Sequence, residues 1–391
     1  MPKLLIVHNA YRHRGGEDIC VENEVRALRD AHWDVELFVE RNDSTIKTIV
    51  QGVGAPFGWA LEKQVEDRLR TFQPDIVHVH NLFPSLSPRV FAAAHAMAAA
   101  TVLTLHNYRP LCLNGLFLTP AGEICERCAG NSYWPGIVRG CYRDNRLQSL
   151  ALATHLRVAQ ARHWYQLVDR FITPSRFLKE RLLHYKWTDE AKIDVQGHFV
   201  PETIPTVPEK AEPYALYLGR LSEEKGVRWL LHAFSQRSMG LKLQIAGEGP
   251  LKNLVLEAQQ KNPAISYRGY LEGVAKKECL SRASVLVLPS RCYENFPLAI
   301  MEANSLGVPV VVSRLGAMPE QVESGRNGLS FIPDDIASWT DALQQISKVW
   351  TTAEKRAQCQ QYAHKQFSVS TFLTRRQALY EKLLIKTDVR R

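Results

Sequence analysis

The chain has 391 residues, 45% of them hydrophobic and 23% charged, which exceeds one small domain and reads as two globular domains. That balance excludes disorder, collagen and coiled coil as overall descriptions. Lys and Arg outnumber Asp and Glu by 49 to 40, a formal charge of +9 that points to an anionic partner: nucleic acid, a phosphorylated ligand or an anionic lipid surface.

Short β-type runs alternate with helical stretches along the whole chain. In the first half they are Lys3–His8, Asp34–Val39, Asp75–His80, Thr101–Leu105 and Arg170–Thr173. In the second they are Tyr214–Leu218, Lys242–Ala246, Ile265–Tyr267, Val285–Pro289, Val308–Val312 and Gly328–Ile332. Several, such as Leu4-Leu5-Ile6-Val7, are continuously apolar, as expected of parallel strands covered by helices on both faces. The pattern predicts two Rossmann-like, doubly wound α/β domains facing a central cleft, with ligands at the carboxyl ends of the strands. The expected boundaries are 1–200 for the first domain, 201–213 for a linker carrying four prolines, 214–368 for the second domain, and 369–391 for a helix returning to the first.

Apolar character from Leu4 onward stops at His8, Asn9 and Arg12, too soon for a secretory signal. Val90–Tyr108 lacks Lys, Arg, Asp and Glu, but is Ala-rich and carries His95, His106 and Asn107, so it reads as a helix followed by a strand rather than a membrane span. A cytoplasmic protein is expected.

Arg14-Gly15-Gly16-Glu17-Asp18 follows the first strand and opens a helix, a turn suited to phosphate or hydroxyl groups. His106 ends the fourth strand, a position that favours a functional role over a structural one. In the second half, Arg220 and Lys225 lie in Gly219–Gly226 directly after a strand, and two cations there suit a diphosphate. Gly247, in Ala246–Pro250, permits close backbone approach or serves only as a structural turn. Leu288–Ala303 places Glu294 on a loop and Glu302 on a following helix, so that both can reach one ligand; backbone amides of Asn295, Phe296 and Leu298, beside Pro297, are expected at that helix N-terminus.

The Arg220/Lys225 loop and the Glu294/Glu302 pair, with Leu306–Val311, resemble in order and spacing the donor domain of retaining glycosyltransferases of family 4, which have the GT-B architecture. The resemblance covers essentially the whole chain. It implies that Arg220 and Lys225 hold a donor diphosphate, that Glu302 binds the donor ribose and Glu294 the donor sugar, and that Ser313–Glu320 forms a further donor loop, with Ala317 where many relatives have Gly. It places His106 near the anomeric centre and Gly15 and Gly16 beside donor phosphate and acceptor. The implied reaction moves a sugar from a nucleotide-diphosphate donor to a hydroxyl of a glycan or lipid-linked acceptor, in cell-surface polysaccharide or lipopolysaccharide assembly. Similar enzymes are described as front-face, the acceptor giving its proton to the departing phosphate. No Asp-x-Asp is present to hold a divalent ion, so no cofactor is expected to be required for the chemistry.

Cys112, Cys125, Cys128 and Cys141 form a symmetric Cys-x12-Cys-x2-Cys-x12-Cys pattern within an insert over 107–145. The expectation is a structural zinc; another metal, a redox pair and unliganded thiols are the alternatives. Arg139 to Trp187 holds ten Lys or Arg against three Asp or Glu, around a helix expected over Leu147–Val168. Either the stretch is a solvated face or it attracts an anionic membrane surface, giving peripheral attachment to the inner face of the cytoplasmic membrane. The rival readings are a zinc-containing nucleic-acid-binding protein, which leaves the Glu294/Glu302 segment unexplained, and another GT-B enzyme such as an epimerase or phosphorylase. No nucleic-acid partner is expected.

Overall fold

Leu4, Leu5, Ile6 and Val7 have no accessible surface, as their unbroken apolar run requires of a strand covered on both faces. They form the second strand of a parallel sheet in a computed structural model that describes residues 2–10, 14–41, 62–83, 85–130, 132–200, 211–236, 240–350 and 352–390. The chain divides into two units: 1–198 with 372–391, and 199–371.

The first unit comprises β1 (Lys3–Ala10), α1 (Gly16–Asp30), β2 (Asp34–Arg41), α2 (Glu62–Phe72), β3 (Ile76–Asn81), α3 (Val90–Ala96), β4 (Ala100–Thr104), α4 (Trp134–Arg139), α5 (Arg146–Ala161), β5 (Arg170–Thr173), α6 (Arg176–His184) and β6 (Ile193–Val195). Its six parallel strands are ordered β2-β1-β3-β4-β5-β6. The order reverses between β1 and β3, and a doubly wound sheet opens a crevice at that switch. The Ala-rich stretch from Val90 resolves into α3 and β4, and no helix among the described residues is long and apolar enough to cross a membrane.

The second unit comprises β7 (Glu212–Leu218), α7 (Val227–Gln236), β8 (Lys242–Ala246), α8 (Lys252–Lys261), β9 (Ile265–Tyr267), α9 (Gly273–Arg282), β10 (Ala283–Leu288), α10 (Leu298–Ser305), β11 (Val310–Ser313), β12 (Gly328–Phe331), α11 (Ile336–Val349) and α12 (Ala353–Phe367). The strands are parallel in the order β12-β11-β10-β7-β8-β9, with the switch between β10 and β7. One core layer is built on Tyr217, Ile245, Val287 and Trp339, the opposite one on Leu216, Leu286, Ile300 and Val310. Alternate residues of the same strands thus feed opposite faces.

The last helix, α13 (Val369–Arg390), places Leu379, Tyr380 and Leu383 in the first unit's core with Leu4, Ile6 and Val102. The expected linker falls, over 201–210, outside the described residues, and β7 begins at Glu212 rather than Tyr214. The helix expected over Leu147–Val168 is shorter. Asn145 caps its start by accepting from the Gln148 amide at 3.0 Å, and it ends at Ala161 because His163 takes φ 56, a left-handed conformation that stops helical hydrogen bonding. Residues 164–167 form a separate 3-10 turn.

Candidate active site

In the second unit, the segments that follow β7 and β10 flank the switch point. Gly226 has φ +74, and a Cβ there would lie 1.9 Å from the Pro289 carbonyl oxygen, so only glycine lets the Lys225 loop close on the end of β10. This brings the Lys225 Nζ to 2.6 Å from Glu294 Oε1, while the Ser290 hydroxyl donates to the same oxygen at 2.7 Å. Burial by itself would push the Glu294 carboxyl up; the Lys225 charge and the bonds from Lys225 and Ser290 outweigh it and hold the group below its ordinary range. Burial likewise disfavours charged Lys225, and Glu294 reverses the balance, so its ammonium is held above the ordinary range.

Two further loops back this pair. Gly316, with φ +58, would place a Cβ 2.6 Å from the Glu294 carbonyl oxygen, and the Ala317 amide donates to that oxygen at 2.8 Å. Gly247, with φ +142, would place one 1.8 Å from the Gly219 carbonyl oxygen, so its loop lies directly on the one that carries Arg220. Arg220 is exposed, and among the described residues its guanidinium makes no hydrogen bond, leaving it available to an anion.

Pro297 caps α10, which begins at Leu298; Asn295 is buried and Phe296 half-buried just before it. Glu302, on the second turn of α10, pairs with Lys276 at 2.7 Å. Lys276 lies in the first turn of α9, which follows β9, so this pair also stands on the strand-end side of the sheet. Glu294 and Glu302 therefore each carry a lysine of their own, which the spacing did not reveal.

In the first unit, Gly15 is the N-cap of α1 and its amide donates to Asp18 at 2.7 Å, with Gly16 the first helical residue. Asp18 also meets His8 Nε2 at 2.8 Å. The Asn107 amide group donates to Glu17 at 3.0 Å, which ties the loop after β4 to the Gly15–Gly16 turn. Between them, His106 Nε2 lies 3.0 Å from His80 Nδ1, and its ring stacks on His198 at 5.3 Å and 8°. Burial, then the neighbouring His8, pushes His106 down to about 3; burial, then His106, does the same to His198. Both rings are neutral at physiological pH.

Behind His80 lies a buried polar network that sequence reasoning missed. Glu24, 2% exposed, pairs with Arg376 of α13 at 3.1 Å. His78 Nδ1 meets the Tyr380 hydroxyl at 2.8 Å and its Nε2 meets Thr104 at 2.7 Å. The visible signal was the pair of histidines in the otherwise apolar strand Ile76-Val77-His78-Val79-His80. Among the described residues, Glu24, His78 and His80 are the one trio with metal-capable atoms all within 4.8 Å of one another. Arg376 already neutralises Glu24, and both His78 nitrogens are engaged, so the trio belongs to this network.

The four cysteines of the insert do not form such a trio, yet Cys128 and Cys141 sense the others. Burial and then the charges of Cys112, Cys141 and Cys125 push Cys128 up to about 11. Burial and then Cys112 and Cys125 raise Cys141. Four cysteines at Cys-x12-Cys-x2-Cys-x12-Cys spacing are a zinc-type donor set, although no three of their sulfurs lie within 4.8 Å of one another.

Comparison with known proteins agrees with this geometry. The family described as Glycosyltransferase Family 4 matches residues 14–202, and Glycosyl transferases group 1 matches residues 212–348. Glycogen synthase of Mycobacterium tuberculosis is 34% identical over 148 residues, 36% of each chain. The sulfoquinovosyl transferase of Arabidopsis thaliana is 24% identical over 304 residues, 74% of this chain and 53% of that one. O-antigen chain mannosyltransferase B of Escherichia coli is 32% identical over 171 residues, 40% and 44% of the two chains. The chain thus matches about a third to a half of these relatives' length. Among solved structures, the sucrose-phosphate synthase of Thermosynechococcus elongatus aligns with TM-score 0.69 and 18% identity, covering 98% of this chain and 100% of that one. The lipopolysaccharide outer core galactosyltransferase WaaB aligns with TM-score 0.65 and 16% identity, covering 97% and 99%. Anabaena HepE in complex with UDP aligns with TM-score 0.64 and 17% identity, covering 97% and 100%. At these identities the structures establish a shared GT-B fold. With the two family matches together spanning most of the chain, it belongs to the glycosyltransferases of group 1 and family 4.

Proposed function

We propose that the protein transfers a sugar from a nucleotide-diphosphate donor to a hydroxyl of a glycan or lipid-linked acceptor, with retention of anomeric configuration. The observation that carries this reading is the second unit's switch point, where exposed Arg220 stands beside the Lys225–Glu294 pair on loops closed by Gly226, Gly247 and Gly316. A departing nucleotide diphosphate gains negative charge as the bond to the sugar breaks, and preorganised cations stabilise that change. Arg220 offers a planar fork and Lys225 an ammonium held protonated at neutral pH, so divalent metal is not needed on the diphosphate. Glu302 accepts from donor ribose hydroxyls, and Glu294 from donor sugar hydroxyls.

The step forms a bond from the acceptor oxygen to the anomeric carbon, breaks the bond from that carbon to the diphosphate oxygen, and passes the acceptor proton to the departing oxygen. Neutral His106, oriented by His80, hydrogen-bonds a sugar hydroxyl without adding a competing charge. The O-antigen mannosyltransferase among the relatives supports a setting in cell-surface polysaccharide or lipopolysaccharide assembly. Cys112, Cys125, Cys128 and Cys141 hold a structural zinc that fixes the insert and takes no part in transfer. Incubation with a panel of nucleotide sugars in the presence of chelator should release nucleotide diphosphate. Proton NMR of the product should then show the donor's anomeric configuration. Turnover that depends fully and reversibly on magnesium, or an inverted product, contradicts the proposal.

A further inference from the structure

Exposed apolar side chains cluster on the α4–α5 hairpin of the first unit. Trp134 and Val138 of α4 are 66% and 44% exposed, and Leu147 and Leu150 of α5 are 77% and 47% exposed. Trp134 and Val138 are four residues apart and share one helical face. On α5 the inward stripe is Ser149, Leu152, Ala153, Leu156 and Ala159. Leu147, Leu150, Thr154 and Arg157 run at helical spacing down a second, outward stripe. Between the two helices lies a groove of about 470 Å³, lined by Trp134, Ile137, Leu150, Ala153 and Val158. Singly exposed apolar residues are ordinary, but a contiguous patch of this kind marks a contact surface. Leu147 and Leu150 lie outside the core because the neighbouring stripe already covers it.

The charge around the patch is of one sign. Arg139, Arg143, Arg146, Arg157 and Arg162 are all exposed, and Asp144 is the sole acidic residue between Trp134 and Arg162, giving that segment +4. The remaining basic residues of the wider stretch are partly spent elsewhere: Lys179 pairs with Glu190 at 2.8 Å, Arg181 with Glu126 at 3.3 Å and Arg170 with Asp194 at 3.8 Å. Five of the ten basic residues of the stretch thus lie on or beside the apolar hairpin, where Arg139 also donates to Cys125 Sγ at 3.7 Å.

We infer that the outward face of the α4–α5 hairpin docks the protein on an anionic lipid bilayer, with Trp134, Val138, Leu147 and Leu150 entering the interface and the arginines meeting lipid phosphates. Charge complementarity selects this occupant. Two copies meeting through this face would oppose arginine to arginine, whereas a bilayer presents apolar interior and anionic headgroups at the depths where this face has leucine and arginine. Long arginine stems let the guanidinium stay at headgroup level while the apolar side chains go deeper. This goes beyond the transfer reaction and does not depend on it.

Co-sedimentation of the full chain with phosphatidylcholine vesicles, with and without phosphatidylglycerol, tests the inference. The protein should bind mixed vesicles, release as salt rises, and ignore pure phosphatidylcholine. A Trp134→Ser, Leu147→Ser, Leu150→Ser variant should partition about tenfold less, since apolar insertion and charge attraction act together. An Arg143→Glu, Arg146→Glu variant should lose the response to phosphatidylglycerol, whereas Lys179→Glu should bind as wild type. The triple serine and double arginine variants should keep the wild-type melting temperature, and all three variants the wild-type nucleoside diphosphate affinity, so that failure of docking is separable from failure of the donor site. Wild-type protein that ignores mixed vesicles at low salt, or a triple serine variant that binds them unchanged, overturns the inference. Concentration-dependent dimerisation abolished by the triple serine change also overturns it, by assigning the face to a second copy.

Discussion

Replacing Lys225 by Met removes the charge that holds Glu294 ionised. The two groups are 2.6 Å apart and their side chains are 31% and 13% exposed. At an effective dielectric of about 20, unit charges about 3 Å apart attract by roughly 5 kcal/mol, and desolvation offsets most of that. The variant keeps the Glu294 carboxylate, with Ser290 still donating to that oxygen, so a net loss of about 1–3 kcal/mol is expected at neutral pH. The carboxyl is lowered in the folded protein, so the pair's contribution is present above its ordinary value of 4.5 and fades as pH falls through the folded value. The lysine is raised, so its contribution is complete below 10.5 and fades as pH rises through the folded value. Urea unfolding of wild type, Lys225→Met, Glu294→Gln and the double variant measures the coupling. The double variant should be more stable than the sum of the single losses predicts, by about 1–3 kcal/mol, and the Lys225→Met deficit should shrink in acid as Glu294 protonates. Additivity within about 0.3 kcal/mol at neutral pH refutes the reasoning.

Gly226→Ala should cost more than about 1 kcal/mol and weaken nucleoside diphosphate binding, because its Cβ meets the Pro289 carbonyl. Gly122→Ala, also at positive φ but with nothing within 4 Å, should cost less in the same melting assay. His106, held down to about 3, should leave no inflection in the kcat/KM profile between about pH 5 and 8; an inflection there that disappears in His106→Asn contradicts its neutral role. Elemental analysis should find about one zinc per chain, and Cys128→Ser should lower stability before it alters turnover.

Burial on both faces made Leu4–Val7 and Val310–Val312 legible as continuous apolar runs, and shorter mixed runs were legible from their place between helical stretches. Arg170–Thr173, Lys242–Ala246 and Ile265–Tyr267 were placed to the residue. β6 was missed because the charged Asp194 interrupts Ile193-Asp194-Val195, whose last residue is exposed. Glu294 and Lys225 were legible as strand-end residues, but their ion pair was not. They are far apart in sequence and meet because the strand order reverses between β7 and β10. The Glu24–Arg376 pair was hidden for the same reason: its partner arrives on the last helix. The end of α5 was misplaced because a left-handed His163 leaves no mark in the apolar periodicity.

The measurement that bears most directly on sugar transfer from a nucleotide-diphosphate donor is equilibrium binding of nucleoside diphosphate and nucleoside monophosphate to wild-type and Arg220→Ala protein. Wild type should bind the diphosphate more tightly by about 1–3 kcal/mol, the worth of charge-assisted hydrogen bonds to the second phosphate, and Arg220→Ala should remove most of that difference. Equal affinity for the two nucleotides in wild-type protein, or an undiminished preference in Arg220→Ala, contradicts the account.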